Sequence, residues 1–263
     1  MGFALATCAE QAGFRLLAFD RIGSTNAEAL RLGREGERGP LWVVAKQQTA
    51  GRGRRGREWA TPYGNLAASL LVRESDLPPA TVATLGFVAG LALREALARL
   101  FPLRAAAFGL KWPNDLLADG AKLAGILLEG EAVGTRRVTV LGIGVNVAAA
   151  PTHLPYPATS LEAMGCACDA EALFRELSER WVAFERIWDE GRGFAHIRTL
   201  WLEAAVGLGS PLTVSLGDRT LRGVFETVDA GGQLVLRLSD GRQQAVAAGE
   251  VHFGRVATAR EEA

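Results

Sequence analysis

Near the middle of the chain, "KWPNDLLADGAKLAGILLEG" sets Asp119-Gly120 between two apolar runs. An Asp-Gly pair suits a two-residue turn, whose central residues take positive φ, and such a turn makes its flanking strands antiparallel. Any fold for this chain must therefore hold an antiparallel hairpin here. The same turn fixes a juxtaposition: Asn114 and Asp115 open one strand, Lys122 opens its partner, and a lysine comes near an amide and a carboxylate. Gly125, inside the second strand, marks close approach of another backbone or of a ligand. Asn146, closing "RRVTVLGIGVN", is a third polar group at a strand end. Singly, each has an ordinary reading: a plain turn after Pro113, and an edge lysine.

Around the hairpin the pattern is mixed. "GSTNAEAL" reads as a helix start with Thr25 and Glu28 as a capping box. "PLWVVAKQQ" and "NLAASLLVR" read as strands, and a helix is expected from Thr81 to Leu100, ended by Pro102. Asp169 caps a further helix whose stripe is Leu173, Leu177, Trp181, Phe184 and Trp188, simplest as core; a shorter helix spans Phe194–Ala205. After Gly207 short strands alternate with turns at Gly217-Asp218, Asp229 to Gly232 and Asp240-Gly241, as a small β barrel requires. The expected architecture is α+β: a catalytic domain over 1–205, then a barrel-like domain over 206–263. A length of 263 residues at 49% hydrophobic content is enough for both cores.

Between the first two strands lies "TAGRGRRGREW", with Arg52, Arg54, Arg55 and Arg57 packed among glycines. Lys+Arg and Asp+Glu both total 29, so the chain is formally neutral, which argues against a dedicated nucleic-acid binder. "GRGRRG" formally matches a dinucleotide fingerprint, but that motif must open a helix, and "REWATPYGN" with Pro62 and Gly64 cannot. A single embedded copy is also unlike the repeated arginine-glycine tracts of disordered tails. From the loop alone, a solvated surface loop remains the alternative. Joined to the hairpin residues, it outlines a cleft of cations, amides and one carboxylate. Such a cleft suits joining a carboxylate to the α-phosphate of ATP. Two anions 4 Å apart repel by about 4 kcal/mol at an effective dielectric near 20, and fixed cations offset that. Mg²⁺ on an aspartate screens the remaining phosphates. No nucleophilic side chain is needed, which fits three scattered histidines.

Three cysteines, Cys8, Cys166 and Cys168, lack framework spacing and fit a reducing compartment. The N-terminus lacks the charged region of a signal peptide, and the uncharged run from Leu77 to Leu93 carries Pro78 and Pro79, so no membrane span and a cytoplasmic location are expected.

"GSTNAEAL", "KQQTAGRGRRGREW", "KWPNDLL", "KLAGILLE" and "GIGVNV", in this order, closely resemble the biotin protein ligase (biotin–[acetyl-CoA-carboxylase] ligase) family, and the C-terminal β module resembles its SH3-like domain. The resemblance implies a catalytic core related to class II aminoacyl-tRNA synthetases. It implies two steps: biotin and MgATP give biotinyl-5′-AMP, and a lysine of a biotin carboxyl carrier protein then takes the biotin. By position, Ser24, Thr25, Asn26, Gln48, Gly51 and Gly125 would bind biotin, with Arg52 and Arg54 in a loop ordering over biotin and adenylate. Lys122 would bridge the biotin carboxyl and the α-phosphate as the leading catalytic residue, with Arg52 and Arg54 beside it. Arg54, Arg57, Trp59, Lys111, Asn114 and Asn146 would bind ATP, Trp59 packing on adenine, and Asp115 would hold Mg²⁺. The loop is expected to be mobile when empty, through repulsion among its guanidinium groups. Only about 20 residues precede "GSTN", too few for a helix-turn-helix domain, so ligation without DNA binding is expected. "NLAASLLVR" departs from the family in lacking aromatics. A lipoyl or octanoyl ligase or transferase on the same scaffold is the alternative; a homodimer stays open.

Overall fold

The computed structural model describes residues 2–217 and 219–253. A short helix α1 (Thr7–Gln11) precedes strand β1 (Arg15–Ile22), helix α2 (Thr25–Arg34), and strands β2 (Leu41–Gln48) and β3 (Leu66–Leu71). Helices α3 (Pro79–Ala83) and α4 (Leu85–Leu100) follow, then β4 (Phe108–Lys111), β5 (Asp115–Ala118), β6 (Ala121–Val133) and β7 (Arg136–Val145). These seven strands form one sheet in the order β1-β2-β3-β7-β6-β5-β4, antiparallel except for the β1/β2 pair. The hairpin is present: Asp119 and Gly120 link β5 to β6 with φ of 48° and 82°.

Alternation along the strands splits the apolar residues between two faces. Trp42, Val44, Leu66, Leu70, Leu141 and Ile143 face a large core shared with α4 and with α5 (Ala170–Trp188) and α6 (Phe194–Glu203). Leu41, Val43, Leu71, Val138 and Val140 face Ala29 and Leu30 of α2. Further along that second face the same registers carry Ala67, Ser69, Gly142 and Gly144, and the sheet is left hollow there.

Two local expectations are corrected. Ser24, not Thr25, caps α2, its Oγ accepting from Ala27 N at 3.3 Å. Thr25 is unavailable because its hydroxyl donates to Gln48, and Glu28 instead pairs with Arg31 at 2.7 Å. The helix expected over Thr81–Leu100 starts at Pro79 and breaks at Thr84, whose Oγ1 donates to Thr81 O at 2.6 Å and accepts from Trp188 Nε1 at 2.7 Å. Pro79–Leu100 is the one helical stretch among the described residues long and apolar enough to cross a bilayer; here it is two core helices, mostly buried.

The C-terminal strands β8 (Pro211–Leu216), β9 (Arg219–Val228), β10 (Leu234–Arg237), β11 (Gln243–Val246) and β12 (Glu250–Phe253) form an antiparallel sheet in the order β11-β10-β9-β8-β12. The Asp229–Gly232 and Asp240-Gly241 turns join these strands, whereas Asp218 of the Gly217-Asp218 turn lies outside the described residues.

Candidate active site

The hollow on the sheet is a cavity of about 460 Å³, open on one side and bordered by the arginine loop, the β5/β6 hairpin and β12. Its floor is Ala67, Ser69, Gly125, Gly142 and Gly144. Gly125 and Gly144 stand opposite each other across β6 and β7. The Trp59 indole packs against both: a Cβ at Gly125 would sit 3.0 Å from Trp59 Cζ3, and one at Gly144 would clash with the ring outright.

A β-bulge decides where Lys122 points. Leu117 pairs with Lys122 and Leu116 with Ala124, so Leu123 is left over. In a regular strand Lys122 and Gly125 would face opposite sides; the extra residue brings both to the cavity and turns Leu123 and Ala124 into the core.

One end of the cavity is a neutral polar network. Gln48 Oε1 accepts from Thr25 N at 2.8 Å and Thr25 Oγ1 at 3.0 Å, while Gln48 Nε2 donates to Thr61 Oγ1 at 3.0 Å. Ser69 Oγ lies 2.7 Å from Thr25 Oγ1 and 2.5 Å from Asn26 Oδ1. Asn26 Nδ2 donates to Glu129 Oε2 at 2.7 Å, and that oxygen accepts from Arg52 Nη2 at 3.2 Å. Held rigidly by such bonds, these groups can recognise an uncharged polar ring.

The other end is cationic. Lys122 Nζ pairs with Asp115 Oδ1 at 2.8 Å and lies over both the Trp59 and Tyr156 rings. Arg54 Nη1 donates to Asn114 Oδ1 at 3.0 Å, and Asn114 Nδ2 donates to Ile126 O at 2.7 Å. Lys111 Nζ is 5.3 Å from the Phe253 ring centroid. Burial, chiefly, pulls the pKa of Arg54 down, helped by Arg55, and burial likewise lowers that of Lys111 against the pull of Asp115. Both cations are short of solvation and gain from an arriving anion.

All the residues singled out from sequence line this cavity except Gly51 and Asn146. Gly51 forms the neck of the loop, where its carbonyl accepts from Trp59 N at 3.0 Å and a Cβ would strike Trp59 O. Asn146 is buried and holds the following segment, donating from Nδ2 to Thr159 O at 3.1 Å. The arginine loop is a short tongue with a 3₁₀ turn over Arg54–Gly56. Its charges do not face one another unscreened, as the repulsion argument assumed: Arg52 pairs with Glu129, and Arg57 makes two bonds to Glu250, at 2.9 and 2.5 Å.

The Biotin/lipoate A/B protein ligase family matches residues 18–146, and the Biotin protein ligase C terminal domain matches residues 207–254. A biotin–[acetyl-CoA-carboxylase] ligase of Paracoccus denitrificans is 44% identical over 242 residues, which cover 89% of this chain and 98% of that protein. The chain belongs to the biotin protein ligase family. A Mycobacterium tuberculosis ligase of the same name is 36% identical, over 88% of this chain and 86% of the relative. The fold agrees with that of the Aquifex aeolicus biotin protein ligase solved with biotin and ATP: TM-score 0.74 at 24% identity, over 90% of this chain and 97% of the other.

In this biotin protein ligase fold several cavity residues were missed by sequence reasoning. Ser69 and Gly144 sit inside strands that read only as core, and period-2 alternation was the signal that could have found them. Glu250, His252 and Phe253 come from β12, and Tyr156 from the segment before α5; nothing in local pattern brings these to Lys122.

Proposed function

We propose that this chain activates biotin with ATP to biotinyl-5′-AMP and transfers the biotinyl group to a lysine of a biotin carboxyl carrier protein. The observation that carries this reading is the two-ended cavity. A rigid neutral network at Thr25, Gln48 and Asn26 is joined by a glycine floor to a cluster of Lys111, Lys122 and Arg54. The first end suits the ureido ring, and the second suits a carboxylate meeting a triphosphate.

In the first step a biotin carboxylate oxygen attacks the α-phosphorus. That P–O bond forms as the bond to the leaving pyrophosphate breaks. Lys122, placed between the two anions, offsets their repulsion and the charge gathering on the α-phosphate. Arg54 and Lys111 bind the phosphates, Asn114 holds Arg54, and Trp59, whose ring lines the cavity, packs beside the adenylate. In the second step the neutral carrier amine attacks the carboxyl carbon of the mixed anhydride, AMP leaves, and the amine loses a proton. Arg52 and Arg57 hold the loop over the intermediate, which otherwise hydrolyses or escapes.

Among the described residues no group of three His, Cys, Asp or Glu side chains could hold a metal ion. Mg²⁺ would enter with the nucleotide and would need only one protein carboxylate, as this ion commonly does. Asp115, beside Lys122, would be that carboxylate, and the ion would screen phosphate charge. The reading includes no DNA and no membrane partner, in keeping with zero formal net charge, and a cytoplasmic location, where carrier and ATP are found together.

The deciding experiment follows AMP and pyrophosphate release with biotin, with lipoate, and with or without a carrier domain. Release driven by biotin and raised by the carrier supports the reading. Release driven by lipoate alone replaces it with lipoyl ligation.

A further inference from the structure

The Lys122 ammonium lies over two aromatic rings. Nζ lies 5.5 Å from the ring centroid of Trp59 and 5.5 Å from that of Tyr156, inside the roughly 6 Å over which a ring quadrupole attracts a cation. Trp59 belongs to the arginine loop. Tyr156 comes from the connection between β7 and α5, in "PTHLPYPATS", and also lines the cavity.

That connection is fastened to the lysine's own backbone. Lys122 N donates to Pro157 O at 2.9 Å, and Thr159 N donates to Lys122 O at 3.0 Å. Asn146, buried beneath, donates to Thr159 O at 3.1 Å. Tyr156 is thus one residue from a backbone bond to the residue whose ammonium its ring faces, and Pro155 and Pro157 fix φ on either side of it. The bonds fasten the segment to β6 just beyond the end of its pairing with β7, and the ring follows.

We infer that Tyr156 is a positioning residue for Lys122, its ring keeping the ammonium over the cavity. The inference rests on the role given to Lys122 above. The chemistry explains why a ring serves here. Asp115, at 2.8 Å, draws the ammonium toward β5 and competes with any incoming phosphate for its N–H donors. Ring faces carry no formal charge and take none of those donors in a directed hydrogen bond. They steady the cation while leaving the N–H groups that Asp115 does not engage for the carboxyl and phosphate oxygens. Among the described residues the Tyr156 hydroxyl makes no hydrogen bond to Lys122, and the contact between the two is through the ring.

The test compares Tyr156→Phe, Tyr156→Leu and a series carrying phenylalanine with one, two or three ring fluorines at position 156. Fluorine drains the ring face at nearly constant shape, so this series stays informative if the leucine variant folds poorly. The readout is biotin-dependent pyrophosphate release, resolved into kcat and KM, with Lys122→Ala assayed alongside. Phenylalanine should stay within about twofold of the parent; leucine should lower kcat about five- to twentyfold, with KM for biotin and ATP nearly unchanged. Each added fluorine should lower kcat further. A flat fluorine series, leucine matching phenylalanine, or a loss confined to KM overturns the inference. The two readings fail separately. Full activity in Lys122→Ala removes the lysine's role, whereas an inactive Lys122→Ala beside a flat fluorine series removes only that of Tyr156.

Discussion

At the scale of the residue, the site depends on one side chain pointing the right way and three having almost no size. Lys122 reaches the cavity because the bulge at Leu123 restores it to the face of Gly125. Lys122→Ala should slow biotinyl-5′-AMP formation about 10²- to 10³-fold, the range for removing one donor to developing charge, without unfolding a chain whose Lys122 is a half-buried strand residue. Pyrophosphate release beside a thermal unfolding curve checks both halves. Gly144→Val should act differently. Its branched side chain would fill the floor and lift Trp59 off it, raising KM for biotin at least tenfold with the fold retained; unchanged biotin kinetics would mean that the floor is not where biotin lies. The sequence already located Lys122, Asp115 and Asn114 together, because a two-residue turn leaves little freedom. It did not show the bulge, since a leftover residue in a strand looks like any other apolar position. It also offered Trp59 only as a partner for adenine, when its ring is already packed against two glycines.

At the scale of the element, the arginine loop is a tongue tied at both edges. Arg52 is bonded to Glu129 and Arg57 to Glu250. These partners lie 77 and 193 positions away, which is why a charge count over the loop alone suggested unscreened repulsion. The Arg57 bonds hold Glu250 down to about 2 from 4.5. A depressed carboxylate pKa means that the tie is complete above about pH 4.5 and is lost as pH falls toward 2, so it is intact throughout the neutral range. Glu250→Gln removes the charge without acid. Because the pair is partly exposed, global stability should change by under about 1 kcal/mol, while trypsin should cut at the loop arginines several-fold faster than in the parent. Equal cleavage rates would show that the tie does not restrain the loop. Arg54→Gly should leave the first step measurable but let the adenylate escape, seen as biotin on lysines of an unrelated protein. An unlabelled bystander would count against a retaining role for Arg54.

At the scale of the whole molecule, the change of texture at Gly207 correctly announced a run of short strands, but not how those strands meet the rest. Leu212, Val214, Phe225, Val228 and Leu234 belong to the same buried cluster as α4, α5 and α6. Backbone bonds cross at the junction, Leu110 N to Ala204 O and Val206 N to Leu110 O, both 2.8 Å. Trp112 Nε1 donates to Gly232 O and Arg198 Nη1 to Val228 O, each at 3.1 Å. Sequence patterning marks which residues are apolar; it does not say that two runs 100 residues apart share one core, because that follows from packing alone. A shared core has a thermodynamic consequence. Opening the small sheet would expose Phe87, Phe194 and Trp201, which pack edge to face at 5.2 to 5.4 Å beneath it, so neither part can unfold without destabilising the other. Calorimetry should therefore give one transition, with calorimetric and van't Hoff enthalpies equal. Biotin with ATP should move that transition upward as a unit, since ligand bound only to the folded state stabilises everything coupled to the site. Two separated transitions, with only the larger one shifted by ligand, would mean that β12 borders the cavity without being part of its cooperative unit.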